Sequence, residues 1–589
     1  MYLRTNNPGN IKKYAIDPRI RIASLFFSAC ILIIIARLFL LMIIDHSFYS
    51  SVASGNQELY KKLYPNRGSI FLQSVNSEMV YPLVINKELY NLYLNTKEIL
   101  DDESAEKVAT KLAEFFSYDD EKKLTIYLKA NKRTDPYEPI ENKIETDKKE
   151  EIEKMELPGV HFVELPSRFY PENNLLAQVI GFLGKDDEGN DVGHYGLEGY
   201  WNKELSGKGG FLEGLKSAKG SIIAGAEKSF EPAEDGVDLY LTIDRTLQSE
   251  TCAILKRRME LYEAQAASLI IMNPKTGAIL TMCSFPDFDP NNYGKVDSVA
   301  VYNNLNIYEP YEPGSIFKPI AMSAALNEEI LSPDSYFHDS GSAEVGCTKP
   351  IKNADGKSYG DQTMTGVLEN SINTGMVYVV NKLGKEKFVD YIQKFGFGVK
   401  TGLELDTENT GTYESLLRND MTKVDCYTAT ASFGQGITAT PIQMISAFAA
   451  IANGGKLMKP YIIAKKEYFD GRIEETKPLV VRDVLTKKTS ALLSGMLVRV
   501  IDKGQGVLAK VNGYYLAGKT GTAQIAGPNG YTDEYNHSFI GFGPVDDPKF
   551  IVMIRLEKPK LIYSSTTAAP TFSEIANYIL KYYKIPKNY

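Results

Sequence analysis

The chain has 589 residues, 43% of them hydrophobic and 24% charged, with 46 Gly and 27 Pro; it is too long for one core and too apolar for disorder, so two or three folded domains are expected. Sixty-six basic against 74 acidic residues give a net charge of −8, which argues against a broad nucleic-acid-binding surface. The five cysteines (Cys30, Cys252, Cys283, Cys347, Cys426) form no C-x-x-C and the five histidines no H-E-x-x-H, so neither a metal site nor a disulfide framework is expected.

From Ile22 to Ile44 the chain reads IASLFFSACILIIIARLFLLMII, about the 20 residues an α-helix needs to cross a bilayer. Arg4, Lys12, Lys13, Arg19 and Arg21 precede it, whereas residues 45–60 carry no Lys or Arg. This asymmetry predicts a retained single-pass anchor, with residues 1–21 in the cytoplasm and everything after the span outside. A cleaved signal peptide is the competing reading, but its apolar region is about 7–15 residues. Arg37, inside the span, must snorkel or meet a partner in the membrane.

Residues 45–235 mix short extended runs such as YPLVI (81–85) with the charged segment ENKIETDKKEEIEKME (141–156), read as a solvated face ending at Leu157-Pro158-Gly159. Residues 236–589 follow a clearer plan. LYLTI (239–243) is extended and a helical pattern follows to about Glu263. ASLIIM (267–272) and AILTMCS (278–284) are β-rich and joined by the turn residues Asn273 to Gly277. Residues 311–500 are predicted to be mainly helical. Three further extended runs (514–520, 538–545, 550–556) precede a helix after Pro570, with Phe572, Ile575, Ala576, Ile579 and Leu580 on one face. Two strands at the beginning and three at the end predict an α+β domain built on one five-stranded antiparallel sheet flanked by helices.

The chemistry is carried by three short motifs. Glu312-Pro313-Gly314-Ser315-Ile316-Phe317-Lys318 contains S-x-x-K, which on a helix puts the Lys318 amine within reach of the Ser315 hydroxyl. Serine needs an adjacent base, and lysine is one only if burial or a nearby cation lowers its pKa. Ser371-Ile372-Asn373 offers a hydroxyl and an amide suited to proton relay and substrate holding. K-T-G occurs three times: Lys275-Thr276-Gly277 and Lys400-Thr401-Gly402 read as turns, whereas Lys519-Thr520-Gly521 ends an apolar strand and continues into Thr522-Ala523-Gln524, leaving a strand edge lined by small donors. A strand edge carrying an ammonium and hydroxyls suits an extended peptide with a terminal carboxylate. Gly513 to Thr520 also fits the phosphate-loop pattern letter for letter, but its Tyr-Tyr-Leu-Ala interior is strand-like and no helix follows, so nucleotide binding is not expected.

The order S-x-x-K, S-x-N, K-T-G(T) resembles the penicillin-interacting serine acyltransferases. Over nearly its whole length the chain resembles class B penicillin-binding proteins: Arg67-Gly68-Ser69-Ile70, Arg168-Phe169-Tyr170-Pro171, Gly196-Leu197-Glu198-Gly199-Tyr200, TIDRTLQ (242–248), NPKTGAIL (273–280), FPDFDPN (285–291) and GITATPIQM (436–444). It departs where the family usually has an Asp-Arg-Asn-Gly-like turn and Phe71-Leu72-Gln73-Ser74 stands here. The resemblance implies an elongated, mostly-β, non-catalytic pedestal (45–235) and a transpeptidase domain (236–589). It also implies a peptidoglycan D,D-transpeptidase of the bacterial cytoplasmic membrane, acting on D-Ala-D-Ala stem peptides and acylated by β-lactams, with no cofactor. Ser315 is then the nucleophile, Lys318 its base, Ser371 the proton shuttle, Asn373 a backbone holder and Lys519 the source of positive potential. Thr520, Gly521 and Thr522 bind substrate, and the backbone N–H groups of Ser315 and Thr522 form the oxyanion hole. Asn373 and FGFG (395–398) look more like the division-type members, which work with a multispanning glycan polymerase and other division proteins. The alternatives are an elongation-type transpeptidase, a β-lactamase or β-lactam sensor, and a catalytically inactive scaffold.

Overall fold

The structure, a computed structural model, describes residues 27–29, 31–35, 58–63, 65–74, 77–215, 229–418, 420–527 and 530–589. The cytoplasmic tail expected over 1–21 and most of the expected span over 22–44 lie outside them; among the described residues no helix is long and apolar enough to cross a membrane. The chain divides into two compact units. The first, Met1–Pro65 with Lys208–Glu234, holds a three-stranded antiparallel sheet of Glu58–Leu63, Gly210–Leu215 and Ser229–Glu231. The second comprises Asn66–Gly207 and Asp235–Tyr589.

The second unit begins with β1 (Ile70–Ser74) and the long β2 (Ser77–Leu94), which pair antiparallel. Helices α1 (Asp102–Phe116) and α2 (Asp120–Ala130) follow. Then β3 (Glu138–Ile144) and β4 (Val160–Phe169) both pair with β2. The helices correct the expectation of a mostly-β region. Their signals are local: the Asp101 side chain accepts from the Ser104 N–H as an N-cap, and Ala105, Val108, Ala109 and Leu112 repeat at one helical face. That face is buried with Leu92, Leu94, Ile126 and Ile144 in one apolar cluster. The charged segment is solvated as expected except at Ile144 and Ile152, which are buried in that same cluster.

Three of the motifs named from the sequence converge on a single carboxylate. Arg67 Nε donates to Glu198 Oε2 at 2.7 Å and Arg168 Nε to Glu198 Oε1 at 2.7 Å, with Glu198 fully buried. Burial pushes this carboxyl up, but the two guanidinium groups outweigh it and hold the pKa below the usual range.

Strand β5 (Asp238–Asp244) runs parallel to β1 and leads into α3 (Arg245–Leu261). The five-stranded sheet begins with the hairpin β6 (Ala266–Met272) and β7 (Ile279–Phe285), joined by the expected turn. Helices α4 (Lys318–Asn327), α5 (Asn373–Leu383) and α6 (Pro441–Ala452) occupy the middle of the chain. That stretch also contains strands: β8 (Ile463–Glu467) pairs with β5, and β9 (Ile473–Glu475) with β8. After α7 (Lys487–Asp502) come β10 (Ala517–Gly527), β11 (Gly530–Gly543), β12 (Phe550–Glu557) and α8 (Ala568–Tyr582).

The sheet order β7-β6-β12-β11-β10, antiparallel throughout, agrees with the expected five strands. LYLTI belongs instead to the other sheet, of order β9-β8-β5-β1-β2-β3 with β4 on β2. Phe572, Ile575, Ala576, Ile579 and Leu580 of α8 are at most 1% exposed, each large side chain worth about 1.5–3 kcal/mol when fully buried. This packing holds the sheet on one side and leaves β10 as its edge.

The expected lack of disulfides is corrected: Cys252 pairs with Cys283 and Cys347 with Cys426. The partners are 31 and 79 residues apart in sequence, and adjacency of α3 to β7, or of the loop at 347 to the start of the helix Cys426–Ala431, is a tertiary property that cysteine spacing does not carry. Cys30 lies outside the described residues.

Candidate active site

Ser315 lies in the 3-10 turn Gly314–Phe317, which runs directly into α4 at Lys318. Gly314 has φ +57° and its N–H donates to Gly434 O at 3.0 Å. A Cβ at Gly314 would come within 3.0 Å of Ala523 Cβ, so glycine lets the Ser315 turn lie directly on β10. Gly521 serves the same approach from the strand side, since a Cβ there would meet Ile316 Cγ2 at 3.0 Å and Pro313 O at 3.1 Å. Ile316 and Phe317 are fully buried, which anchors the turn, while Ser315 is only half-buried.

Ser371 precedes α5 with φ +57°, a left-handed conformation unusual for a residue with a Cβ. It is the meeting point of the site. Lys318 Nζ donates to Ser371 O at 2.5 Å, Ser371 Oγ at 3.1 Å and Asn373 Oδ1 at 2.7 Å. Lys519 Nζ, arriving from β10, donates to the same Ser371 Oγ at 3.0 Å and to Thr520 O at 3.1 Å. Both amines are fully buried and neither is paired with a carboxylate among the described residues. Burial, assisted by the nearby Lys519 charge, holds the Lys318 pKa well below its ordinary value; burial brings Lys519 down to about 7. The lowered pKa lets Lys318 give up a proton at a pH where an exposed lysine is fully charged; one of its three donated bonds then lapses, since a neutral amine has two N–H groups and one lone pair.

The two other K-T-G triplets are turns, as expected: Gly277 and Gly402 have φ +85° and +76°, and Glu408 Oε1 accepts from the Thr401 N–H and hydroxyl, both at 2.6 Å. At the phosphate-loop look-alike, β10 begins at Ala517 and no helix follows Thr520. The strand continues to Gly527 and into a hairpin with β11, so Lys519, Thr520 and Thr522 lie within it and not at its end as read from the sequence.

Several residues of the site were not singled out from the sequence. Asn353 Oδ1 accepts from the N–H groups of Asn373 (3.0 Å) and Thr374 (3.2 Å), two of the orphan donors at the start of α5. Asn353 Nδ2 in turn donates to Asp339 Oδ2 at 2.7 Å, and Thr374 Oγ1 donates to Asp339 Oδ1 at 2.6 Å. Burial pushes the Asp339 carboxyl up, but hydrogen bonds from Thr374, Gly341, Tyr359 and Asn353 outweigh it and keep its pKa low. Thr522 exchanges hydrogen bonds with Ser564, and Glu312 accepts from Gly436 N (2.8 Å) and Tyr531 Oη (2.9 Å). In the sequence Asn353 reads only as part of an Asn-Ala-Asp-Gly turn, and nothing marks Ser564.

A half-buried serine at the head of a helix, a depressed lysine beside it in sequence, a shared hydroxyl and a strand edge bearing threonines have the chemistry of a serine acyltransferase with a lysine base. A family model described as penicillin binding protein transpeptidase domain matches residues 267–577, and one described as penicillin-binding protein dimerisation domain matches 62–241. The chain belongs to the penicillin-binding protein transpeptidase family. Stage V sporulation protein D of Bacillus subtilis (strain 168) is 34% identical over 96% of this chain and 86% of its own length. Peptidoglycan D,D-transpeptidase FtsI of Escherichia coli (strain K12) is 29% identical over 75% of this chain and 72% of its own. Penicillin binding protein 3 from Mycobacterium tuberculosis, solved in complex with aztreonam, superposes with a TM-score of 0.67 at 25% identity, covering 90% of this chain and 98% of that one. Penicillin binding protein 2X from Streptococcus thermophilus shares the fold, with a TM-score of 0.75 at 22% identity over 89% of this chain and 80% of its own.

Proposed function

We propose that this protein is a peptidoglycan D,D-transpeptidase in which Ser315 is the nucleophile and Lys318 its general base. Ser315 Oγ attacks the carbonyl of the penultimate D-Ala of a stem peptide while the neutral Lys318 amine takes its proton. The tetrahedral oxyanion is held by the backbone N–H groups of Ser315 and Thr522, a kind of contribution worth about 2.7–4 kcal/mol per donor in a well-studied hydrolase. The C–N bond then breaks as a proton passes through Ser371 Oγ to the departing D-Ala amine. An amine of a neighbouring stem attacks the acyl-enzyme, gives up its proton along the same route, and leaves the crosslink and free Ser315. Asn373 holds the donor backbone, while Lys519, Thr520, Gly521 and Thr522 grip its terminal carboxylate.

The observation that carries this reading is the Lys318–Ser371–Lys519 contact, in which one hydroxyl bridges two buried amines. Intact-mass analysis after incubation with a D-Ala-D-Ala stem-peptide analogue tests it: an adduct on Ser315 with release of one D-Ala supports the reading, and hydrolysis elsewhere in the peptide opposes it. A β-lactam should form a slowly released adduct; rapid turnover marks a β-lactamase, and no adduct at all a scaffold.

The apolar segment 22–44 anchors the protein in the cytoplasmic membrane in this reading, with the catalytic unit outside and Arg37 facing a multispanning glycan polymerase. The motif resemblance favours septal wall synthesis as its work. A second role, in the wall made during sporulation, is favoured by the 34% identity with stage V sporulation protein D. Imaging a tagged copy separates them: midcell signal in growing cells supports the first, signal confined to sporulating cells the second, and side-wall signal opposes both in favour of elongation.

A further inference from the structure

Glu312, three residues before the nucleophile in the chain, carries a carboxylate that the reaction described above does not use. The backbone around it is fixed: Tyr311 and Ala439 exchange N–H···O bonds at 3.0 Å in each direction, and Gly314 donates to Gly434 O. The side chain is held as well, since Glu312 Oε1 accepts from the Gly436 N–H at 2.8 Å and Oε2 from the Tyr531 hydroxyl at 2.9 Å. Both donors are neutral. No Lys, Arg or His forms an ion pair with this half-buried carboxylate among the described residues. Burial pushes its pKa up against those two bonds, so the charge is poorly compensated and a cation placed against it is favoured.

Its place beside β10 decides which part of a ligand comes near it. Residues 517–521 of the strand are buried, whereas residues 524–527 are half-buried or exposed. An extended donor whose carboxylate lies at residues 519–522 therefore continues toward its N-terminus along residues 524–527, the open stretch of the edge. Tyr531 is the register partner of Ala526 in that stretch, so the carboxylate it holds stands at the same open end. An extended peptide advances in step with the strand, and the stem residue just before D-Ala-D-Ala falls about one or two strand positions past Thr522. Lys519 at one end of this path and Glu312 at the other match a donor with a carboxylate at its terminus and a cation upstream of it.

We propose that Glu312 is a specificity-determining residue for the donor, binding a side-chain ammonium on the stem residue that precedes D-Ala-D-Ala, with Tyr531 holding the carboxylate in place. The proposal rests on the reading that residues 519–522 grip the donor's terminal carboxylate. Two penicillins test it, because their nucleus takes the place of D-Ala-D-Ala and their 6-acylamino side chain that of the preceding residue. One side chain ends in a primary amine at the reach of a lysine, and the other carries the same amine acetylated. Second-order acylation rate constants are measured by intact mass on the full chain and on Glu312→Gln and Glu312→Lys. The wild type is expected to favour the amine about tenfold, the scale of one hydrogen bond between charged groups. Glu312→Gln is expected to bring the ratio to within about twofold of unity, and Glu312→Lys to turn it in favour of the acetylated compound. A wild-type ratio near unity, or a preference that survives in Glu312→Gln, overturns the proposal, and so does a fall of both rates at an unchanged ratio, the mark of a merely structural residue. If Glu312→Gln folds poorly, Glu312→Ala is read by the same ratio. A wild type that forms no adduct with either compound or with benzylpenicillin overturns the transpeptidase reading instead.

Discussion

Lys519 Nζ donates to Ser371 Oγ at 3.0 Å across 148 residues of chain, and the same oxygen accepts from Lys318 Nζ at 3.1 Å. The two buried amines are thus separated by a single hydroxyl, and the charge on Lys519 acts on Lys318 at close range.

This coupling has a kinetic consequence. Lys318 serves as a base only when neutral, and the Lys519 charge lowers its pKa. Removing that charge in Lys519→Ala raises the Lys318 pKa, so the acid limb of the acylation pH profile should move to higher pH and the rate at pH near 7 should fall. Measured with benzylpenicillin methyl ester, which has no carboxylate for Lys519 to bind, an unmoved acid limb would show that Lys519 does not tune the base.

A second consequence concerns stability. The folded pKa of Lys519 is about 7 and its ordinary value 10.5, so between these the unfolded chain binds the extra proton and stability rises with pH. The wild type should therefore gain stability relative to Lys519→Met as pH rises from about 7 to 10.5. Urea titrations at the two ends of the window check this; a difference independent of pH contradicts the buried, depressed amine.

Ser371 carries two separable properties, a hydroxyl and a left-handed backbone. Ser371→Ala and Ser371→Gly both remove the hydroxyl and should both lose crosslinking. Glycine adopts φ +57° freely, so Ser371→Gly should be more stable than Ser371→Ala by about 1 kcal/mol. Equal denaturation midpoints would place no backbone strain at this position.

Asn353 joins the start of α5 to the buried Asp339 carboxylate. Asn353→Ala leaves the Asn373 and Thr374 N–H groups and one carboxylate oxygen short of a partner, and should cost about 1–3 kcal/mol. Because Asn373 is the first residue of that helix, the acylation rate should fall as well, which stopped-flow labelling measures on the folded fraction. A stable variant with full acylation would show that the network does not position the S-x-N motif.

How much is legible in the sequence depends on how local each signal is. Ser315 and Lys318 are close neighbours in the chain, as are Ser371 and Asn373, so short motifs in order suffice to bring forward the residues that the fold gathers with Lys519. Four of the five strands are legible because each contains a compact apolar run; β10, AGKTGTAQIAG, is polar over most of its length and overlaps the expected run 514–520 only at residues 517–520. Helix α1 is equally marked by its cap and its Ala105, Val108, Ala109, Leu112 spacing, but the extended runs before it and the charged segment after it dominate the pattern of the region. The disulfides, the Asp339–Asn353 network and the Ser564–Thr522 pair join residues 14 to 79 positions apart. No local pattern marks them, since a cysteine, a turn asparagine or a loop serine has the same sequence whether or not the fold brings it a partner.

The central claim is that Ser315 is the acylated nucleophile, and labelling with a fluorescent penicillin tests it most directly. The wild type should carry one covalent label, and Ser315→Ala, with an unchanged thermal midpoint, should carry none. A label of equal strength on Ser315→Ala would contradict the account.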